Sequence, residues 1–470
     1  MKEIKIILLM LVITVLMTGC GKDKENEAAK DDKELVLRVC NWEEYIDEGD
    51  WDDDELIELD NGKEIIGINP MYEEFEEWYY KTYGIKVRVE YSCFGTNEDL
   101  YNQLTIGDRF DLVCPSDYMI MKLMAENKLV SFSDAFFDKS VEENYYVKGV
   151  SPYIKAVFDE NEINGEAWSK YSAGYMWGTT GLVYNPLEIT DEEASHWKLL
   201  VDEKYKRRVT IKDNVRDSYF AALAIYKEDK LLSKEFLEKE NYEQAFAEEM
   251  NDASDEVIDG VEAVLRKIKD NAYSFETDSG KADMVTGKVL ANYQWSGDAV
   301  YTIEQAEEDD VELRYQVPEE GGNLWFDGWV MLKDGISEDS RKQHAAEAFI
   351  NYLSIPENVV RNMYYIGYTS VISGEKDDST MFDYANWYFA AEDDAEDTID
   401  YDISYFFEGK DAKEGDYVIT AEAGQEFGAL GSQYPTLDII RRCAVMGYFG
   451  DETNDKLNQM WINVRCFNPF

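Results

Sequence analysis

The residues in this chain best suited to chemistry are carboxylates set among aromatic rings. Residues 41–47 read NWEEYID, so Trp42 and Tyr45 enclose Glu43 and Glu44; VRDSYF, QWSGDA and LWFDG place Asp217, Asp298 and Asp327 close to Tyr219, Trp295 and Trp325. Two kinds of chemistry use such sets. Ring faces and carboxylates together hold organic cations, since an aromatic face attracts an ammonium group by roughly 0.5–2 kcal/mol and a carboxylate adds a charge-assisted hydrogen bond. Paired carboxylates with tryptophan platforms also act as acid and base on a glycoside. Asp327 is the sharpest candidate, because it lies between Phe326 and Gly328 in an apolar stretch, where an unpaired carboxylate is costly.

Other chemistries find little support. The two histidines, His196 and His344, sit in polar or Ala-rich helical surroundings that read as surface, and no cysteine pair has CxxC or zinc-site spacing, so neither a histidine metal site nor a catalytic triad is indicated. DWDDDELIELD has the acidic density of a calcium loop but lacks the EF-hand's glycine at the sixth position and glutamate at the twelfth. The sequence therefore calls for no cofactor and no metal. No GxxxxGK[ST] is present, so an ATPase function would belong to another chain. A net charge of -53 argues against nucleic acid or anionic lipid as a partner and favours cations.

MKEIKIILLMLVITVLMTGC pairs a lysine-containing start with an apolar core and reads as a signal peptide over residues 1–19. MTGC resembles the lipobox of bacterial lipoproteins, which implies lipidation at Cys20 and a place on the outer face of the cell membrane, or in the periplasm. Residues 20–34 then form a charged tether without apolar periodicity. From Leu35 onward no stretch is long and apolar enough to span a membrane. Of the other cysteines, Cys40 and Cys114 end apolar runs and Cys443 and Cys466 share the C-terminal tail; export permits a disulfide in either pair, but spacing does not establish one.

The elements that must position these residues follow from alternation. LVLRVC, IKVRVEYS and FDLVCPS are strand-like runs, each followed by a helical segment, which predicts parallel βαβ units. The first helix has Pro70 near its first turn and Gly84 past its end; Thr96 or Asn97 suits the cap of the second, and Ser116 that of the third. In such sheets ligands meet the carboxyl ends of the strands, where NWEEY and PSDY lie. AGYMWGTTGLVYNP reads as a long strand, a helix, a strand and a helix follow it, and KVLANYQWSG and GGNLWFDGWVMLKD supply further strands. Two lobes joined by crossings near Trp177 and Asp327 fit this order. The expected limits are 35–176 with 328–372 for one lobe and 177–327 with 373–470 for the other. Residues 46–68 look like an insertion, as do about 376–430, which are rich in Asp, Glu, Tyr and Phe.

NWEEY, DLVCPSDY, WGTTGLVYN, VRDSYF, QWSGDA, GGNLWFDG and YIGYTSV occur in the order and approximate spacing of the spermidine/putrescine-binding proteins of bacterial ABC polyamine importers, and YPTLDIIRR is similar to that family's closing segment. The resemblance covers Leu35 to about Val371. It implies an α/β, two-lobed periplasmic-binding-protein-like fold of type II, each lobe a mainly parallel sheet flanked by helices. It implies a non-enzymatic receptor that captures a polyamine, with an importer permease and a separate ATPase chain as partners. Residue by residue, it implies ligand contacts from Trp42, Glu44 and Tyr45, from Ser116 and Tyr118, from Asp217, Trp295, Trp325 and Asp327, and from Tyr368. Asn214 is expected among the ligand contacts as well, although the chain departs from the pattern there: an acidic residue is usual, and Asp213 stands adjacent. A glutamine usual near the C-terminus is replaced around Met446, and Asp117 and Asp298 add carboxylates. The competing readings are a receptor for another cationic or polar solute on the same fold, and a secreted carboxylate-dependent glycoside hydrolase.

Overall fold

The expected βαβ alternation opens the fold. Strand β1 (Leu35–Trp42) is followed by helix α1 (Met71–Tyr83), strand β2 (Val87–Phe94), helix α2 (Asn97–Ile106), strand β3 (Leu112–Val113) and helix α3 (Asp117–Ala125). β1 lies between β2 and β3, parallel to both. The local signals act as read: α1 ends at Gly84 with φ 68, a conformation glycine adopts without a Cβ penalty, and Thr96 caps α2 by accepting from the Asp99 N–H. The computed structural model describes residues 34–337, 339–392, 394–413 and 415–466. The signal peptide, Cys20 and the tether up to residue 33 lie outside the described residues.

A second parallel set repeats the plan. Strand β4 (Ser172–Tyr184) leads to strand β5 (Val209–Lys212), helix α4 (Val215–Tyr226), strand β6 (Ser274–Glu276), strand β7 (Ala291–Trp295) and helix α5 (Ser296–Glu308). β5 pairs in parallel with β6 and β7. The two sets are joined by β4 and by strand β8 (Gly322–Leu332), an antiparallel pair in which every residue is buried. The strand path is β6-β5-β7-β4-β8-β3-β1-β2. Trp177 and Asp327, the residues near which crossings are expected, both lie within the spans of this central pair. Strand β9 (Thr369–Ser370) adds to β4 at Trp177 and Met176.

The described buried side chains gather into several apolar clusters. One apolar cluster gathers residues between Leu35 and Trp177 with Val300 and residues between Leu324 and Ile440, a second gathers residues between Leu182 and Tyr293 with Ala444, Met446, Leu457, Met460 and Val464, and a smaller third runs from Val183 and Met284 to Val317. The stretch after 373, expected in the second lobe, thus places its buried Tyr384, Tyr401, Phe406 and Tyr434 in the first cluster. Nor is 376–430 only a surface insertion. Ser151 donates to the Phe406 carbonyl and the Tyr401 hydroxyl donates to the Tyr434 carbonyl at 2.7 Å; the aromatics scattered among its acidic residues serve the core. All five described cysteines are free, including Cys40 on β1 and Cys114 just past the end of the adjacent β3.

Candidate functional site

Asp327 owes its position to a break in the central pair. Phe326 faces Trp177 and Gly328 faces Gly174, so Tyr175 and Met176 stand opposite the single residue Asp327. Such a bulge re-aims a side chain. Asp327 turns instead to the end of β3, where it bridges to Ser116. Its Oδ2 accepts from the Tyr45 hydroxyl at 2.8 Å, while its Oδ1 is buried and, among the described residues, has no partner within hydrogen-bond distance, the Ser116 hydroxyl lying near the carboxyl but beyond that reach. Burial pushes the Asp327 carboxyl up to about 6, the Ser116 and Tyr45 hydroxyls offsetting part of the effect. Burial and then the Asp327 charge hold the Tyr45 phenol well above its ordinary range, which keeps it a donor.

A cluster of aromatic rings adjoins this carboxylate, whose charge is felt at Tyr175 and Tyr368. Tyr45 meets Tyr175 and Tyr368 edge-on at 5.5 and 5.1 Å, and Trp325 meets Tyr368 at 5.8 Å. Trp325 is fixed by donating from Nε1 to the Thr179 carbonyl at 3.1 Å. Two glycines make room for these rings: a Cβ on Gly297 would lie 2.4 Å from the Tyr368 ring, and one on Gly178 would lie 2.7 Å from that of Trp325.

Tyr368 leads to a second carboxylate. Its hydroxyl donates to Asp298 Oδ1 at 2.8 Å, and Asp298 also meets Lys212 at 3.1 Å and Lys281 at 3.6 Å. Although burial opposes ionisation, Lys212 and Lys281 hold Asp298 below the usual carboxylate range. The Lys212 ammonium lies 4.0 Å from the centre of the Trp295 ring. Beyond Trp295 stands Asp217, pushed up to about 6 by burial and drawn back by Lys212 and the Trp295 indole.

The remaining expected residues fall at the edges or into structural work. Ser116 occupies the cap position of α3, yet its hydroxyl makes no cap bond and accepts instead from Asn97 at 3.1 Å. Tyr118 donates to Glu98 at 3.1 Å and lies under the Arg216 guanidinium at 4.8 Å. Asn214 caps α4, accepting from the Arg216 and Asp217 N–H groups at 2.8 and 3.3 Å. Trp42 packs on Phe94 at 4.7 Å. Glu44 is exposed at φ 53, and its charge is felt at Lys281. Asp117 uses both oxygens on backbone, accepting from Tyr118 and Phe326 at 2.6 and 3.2 Å; burial raises it to about 8.

Sequence reasoning missed Lys212 and Gln433. Gln433 is buried, donates to the Gly367 carbonyl at 3.3 Å and leaves its Oε1 without a partner among the described residues. It directly precedes YPTLDIIRR, which was the available signal; Met446 is buried in the second apolar cluster. His196 is less exposed than expected, because it meets the buried Glu320 at 2.7 Å. His196, Glu228 and Glu320 have ligand-type atoms within 4.8 Å of one another, but Glu228 is already paired with Lys198 at 2.8 Å. A surface hollow of about 290 Å³ lined by Tyr242, Glu319, Arg441 and Arg442 includes none of the expected ligand residues.

Two parallel sets joined by an antiparallel crossing pair, with buried polar groups at the crossing, define a type II periplasmic-binding-protein fold. Solved structures agree: the spermidine/putrescine ABC transporter substrate-binding protein PotD from Streptococcus pneumoniae superposes with a TM-score of 0.57 at 21% identity, over 92% of this chain and 99% of that one. The TpPotD lipoprotein of Treponema pallidum gives 0.58 at 16% identity over 92% and 99%. The chain belongs to the bacterial extracellular solute-binding protein family, whose pattern matches residues 71–391. Among curated relatives, spermidine/putrescine-binding periplasmic protein 1 of Haemophilus influenzae is 23% identical over 423 residues, 85% of this chain and 97% of that protein. The spermidine/putrescine-binding periplasmic protein of Escherichia coli K12 is 25% identical over 344 residues, 73% and 79% of the two chains. These relatives are named as binding proteins.

Proposed function

We propose that this protein is a polyamine receptor, tethered outside the cell through a lipid on Cys20, that hands its solute to an ABC importer permease energised by a separate ATPase chain. The observation that carries the reading is Asp327: a buried carboxylate with one oxygen unpartnered among the described residues, bonded to Tyr45 and next to a ring cluster in which Tyr45 packs on Tyr368 and Tyr368 on Trp325. A buried acceptor left unmade costs about 1–3 kcal/mol, and an incoming ammonium group removes that cost while the ring faces and edges cover the methylenes. The names of the relatives support the same solute class. Trp42, Glu44, Ser116, Tyr118, Asn214, Asp217, Trp295 and Gln433 line or support the site in this reading, and the lobes meet at β4 and β8.

The test is calorimetry with putrescine, spermidine and a neutral diol of matched length. The native protein binds the amines stoichiometrically and not the diol. Asp327→Asn lowers amine affinity about tenfold to a hundredfold, the loss of one charge-assisted hydrogen bond. Equal affinity in the folded variant would place the site elsewhere, and product formation from a glycoside would make the protein a hydrolase.

A further inference from the structure

Lys212 carries an ammonium group in surroundings built for one. It ends β5 and its side chain is 2% exposed. The Nζ donates to Asp298 Oδ2 at 3.1 Å and to the Thr277 carbonyl at 2.8 Å, and it sits over the Trp295 ring at 4.0 Å. A carboxylate, a neutral acceptor and an aromatic face are what a polyamine end group requires. Here the chain supplies the cation itself. The other oxygen of Asp298 is taken by Tyr368 and approached by Lys281, so this position has no acceptor left for a solute.

Charge accounting then limits what else fits. Asp117 spends both oxygens on backbone N–H groups, and Asp298 is neutralised by its lysines. Glu276, paired in register with Lys212 on β6, accepts from Asn292 at 2.9 Å and from the Gly280 N–H at 2.7 Å, which leaves Asp327 and Asp217 as the buried carboxylates beside these rings that form no ion pair among the described residues. Two carboxylates match two ammonium groups. A third ammonium group would have to compete with Lys212 or stay uncompensated in a buried site, at a cost of several kcal/mol.

We propose that Lys212 is a resident occupant of one ammonium position and thereby restricts the site to short diamines, with putrescine bound in preference to the longer triamine spermidine. The inference rests on the polyamine reading above. Lys212 acts on specificity by filling space and charge that the solute would otherwise use.

The experiment is a chain-length series by calorimetry: propane-1,3-diamine, putrescine, pentane-1,5-diamine and spermidine against the native protein and Lys212→Ala. The native protein is expected to bind putrescine at least tenfold more tightly than spermidine. Lys212→Ala, which exposes Asp298 and the Trp295 face, is expected to shift the ratio of the two affinities toward spermidine by tenfold or more. Lys212→Met keeps the aliphatic stem and gives the same shift where the alanine variant does not fold. Spermidine bound by the native protein as tightly as putrescine overturns the inference and leaves the polyamine reading intact. So does a variant that weakens both amines by one factor, which makes Lys212 a structural lysine. A native protein that binds none of the four amines overturns the polyamine reading itself.

Discussion

Asp298 and Asp327 are both buried and both accept from a tyrosine hydroxyl at 2.8 Å, yet they hold opposite electrostatic states. Asp298 has Lys212 and Lys281 beside it and stays below the usual carboxylate range. Asp327 has no cation paired with it among the described residues and is pushed up to about 6 by burial. Depth alone does not decide what a buried carboxylate does; its nearest cation does. A carboxylate with its own lysine stabilises the fold, whereas one without is a standing cost that a bound cation relieves. The two residues separate maintenance of the structure from capture of a solute within one pair of neighbouring sites.

The largest expected effect is on the compensated side. Asp298→Asn leaves Lys212 buried without its counter-charge, and breaking such a pair from one side costs roughly 3–5 kcal/mol. Chemical denaturation should report that loss at neutral pH. Asp298 is depressed when folded, so its contribution is present above the unfolded pKa and disappears as pH falls through the lower folded value. Native protein and variant should therefore converge in strongly acid buffer. A variant as stable as the native protein at pH 7 would remove the contrast between the two carboxylates.

The uncompensated side predicts the opposite sign. Asp327 is raised when folded, so the native state binds more protons than the unfolded chain between about pH 4 and 6. Stability is then fully present below the unfolded pKa and is lost as pH rises through the folded one. The shift corresponds to about 3 kcal/mol at most. Asp327→Asn should raise the Tm of the solute-free protein at pH 7.5, although it weakens solute binding. It should also flatten the decline of Tm with pH, the remaining slope coming from Asp217 and Asp117. A lower Tm in this variant would mean that Asp327 serves the fold.

The same titration reaches the solute. Asp327 and Asp217 both stand at about 6, and a protonated carboxyl cannot pair with an ammonium group. Affinity should be level above pH 7 and fall about tenfold for each group by pH 5. Calorimetry at three pH values measures it, and Asp327→Asn should show the shallower fall. A flat profile in the native protein would show that neither carboxyl meets the cation.

Short-range signals in the sequence read out well, and long-range pairings did not. Pro70 and Gly84 bracket α1, Thr96 caps α2, and the runs ending at Trp42 and Val113 pair in parallel, because caps and periodicity act within a few residues. Lys212 meets Asp298 across 86 residues of chain, and Tyr45 meets Asp327 across 282. No local pattern encodes which lysine will neutralise which carboxylate; β5 and α5 have to be packed first. The acidic stretch after 376 misled for a related reason. Its composition describes the exposed side, while Tyr401, Tyr405 and Phe406 face the core.

The smallest effect tests how far the contrast extends to the rim. Glu43 and Glu44 are neighbours in NWEEY and both are exposed, but they act on different partners. The charge of Glu43 is felt at Cys93, on β2. Glu44 takes a positive φ of 53, and its charge reaches Lys281, where Asp298 and Asp278 also outweigh burial and hold the ammonium group above its ordinary range. An exposed charge near a site alters association and salt dependence more than the bound state, and salt screens it within about 10 Å at 0.1 M. Glu44→Gln should therefore slow amine association about twofold at low ionic strength, with the difference gone at about 0.5 M salt, while Glu43→Gln should leave the rate unchanged. Stopped-flow binding at two salt concentrations separates them. If Glu43→Gln is the slower variant, the approach to the site lies on the Cys93 side, and the electrostatic link from the rim through Lys281 to Asp298 has to be withdrawn.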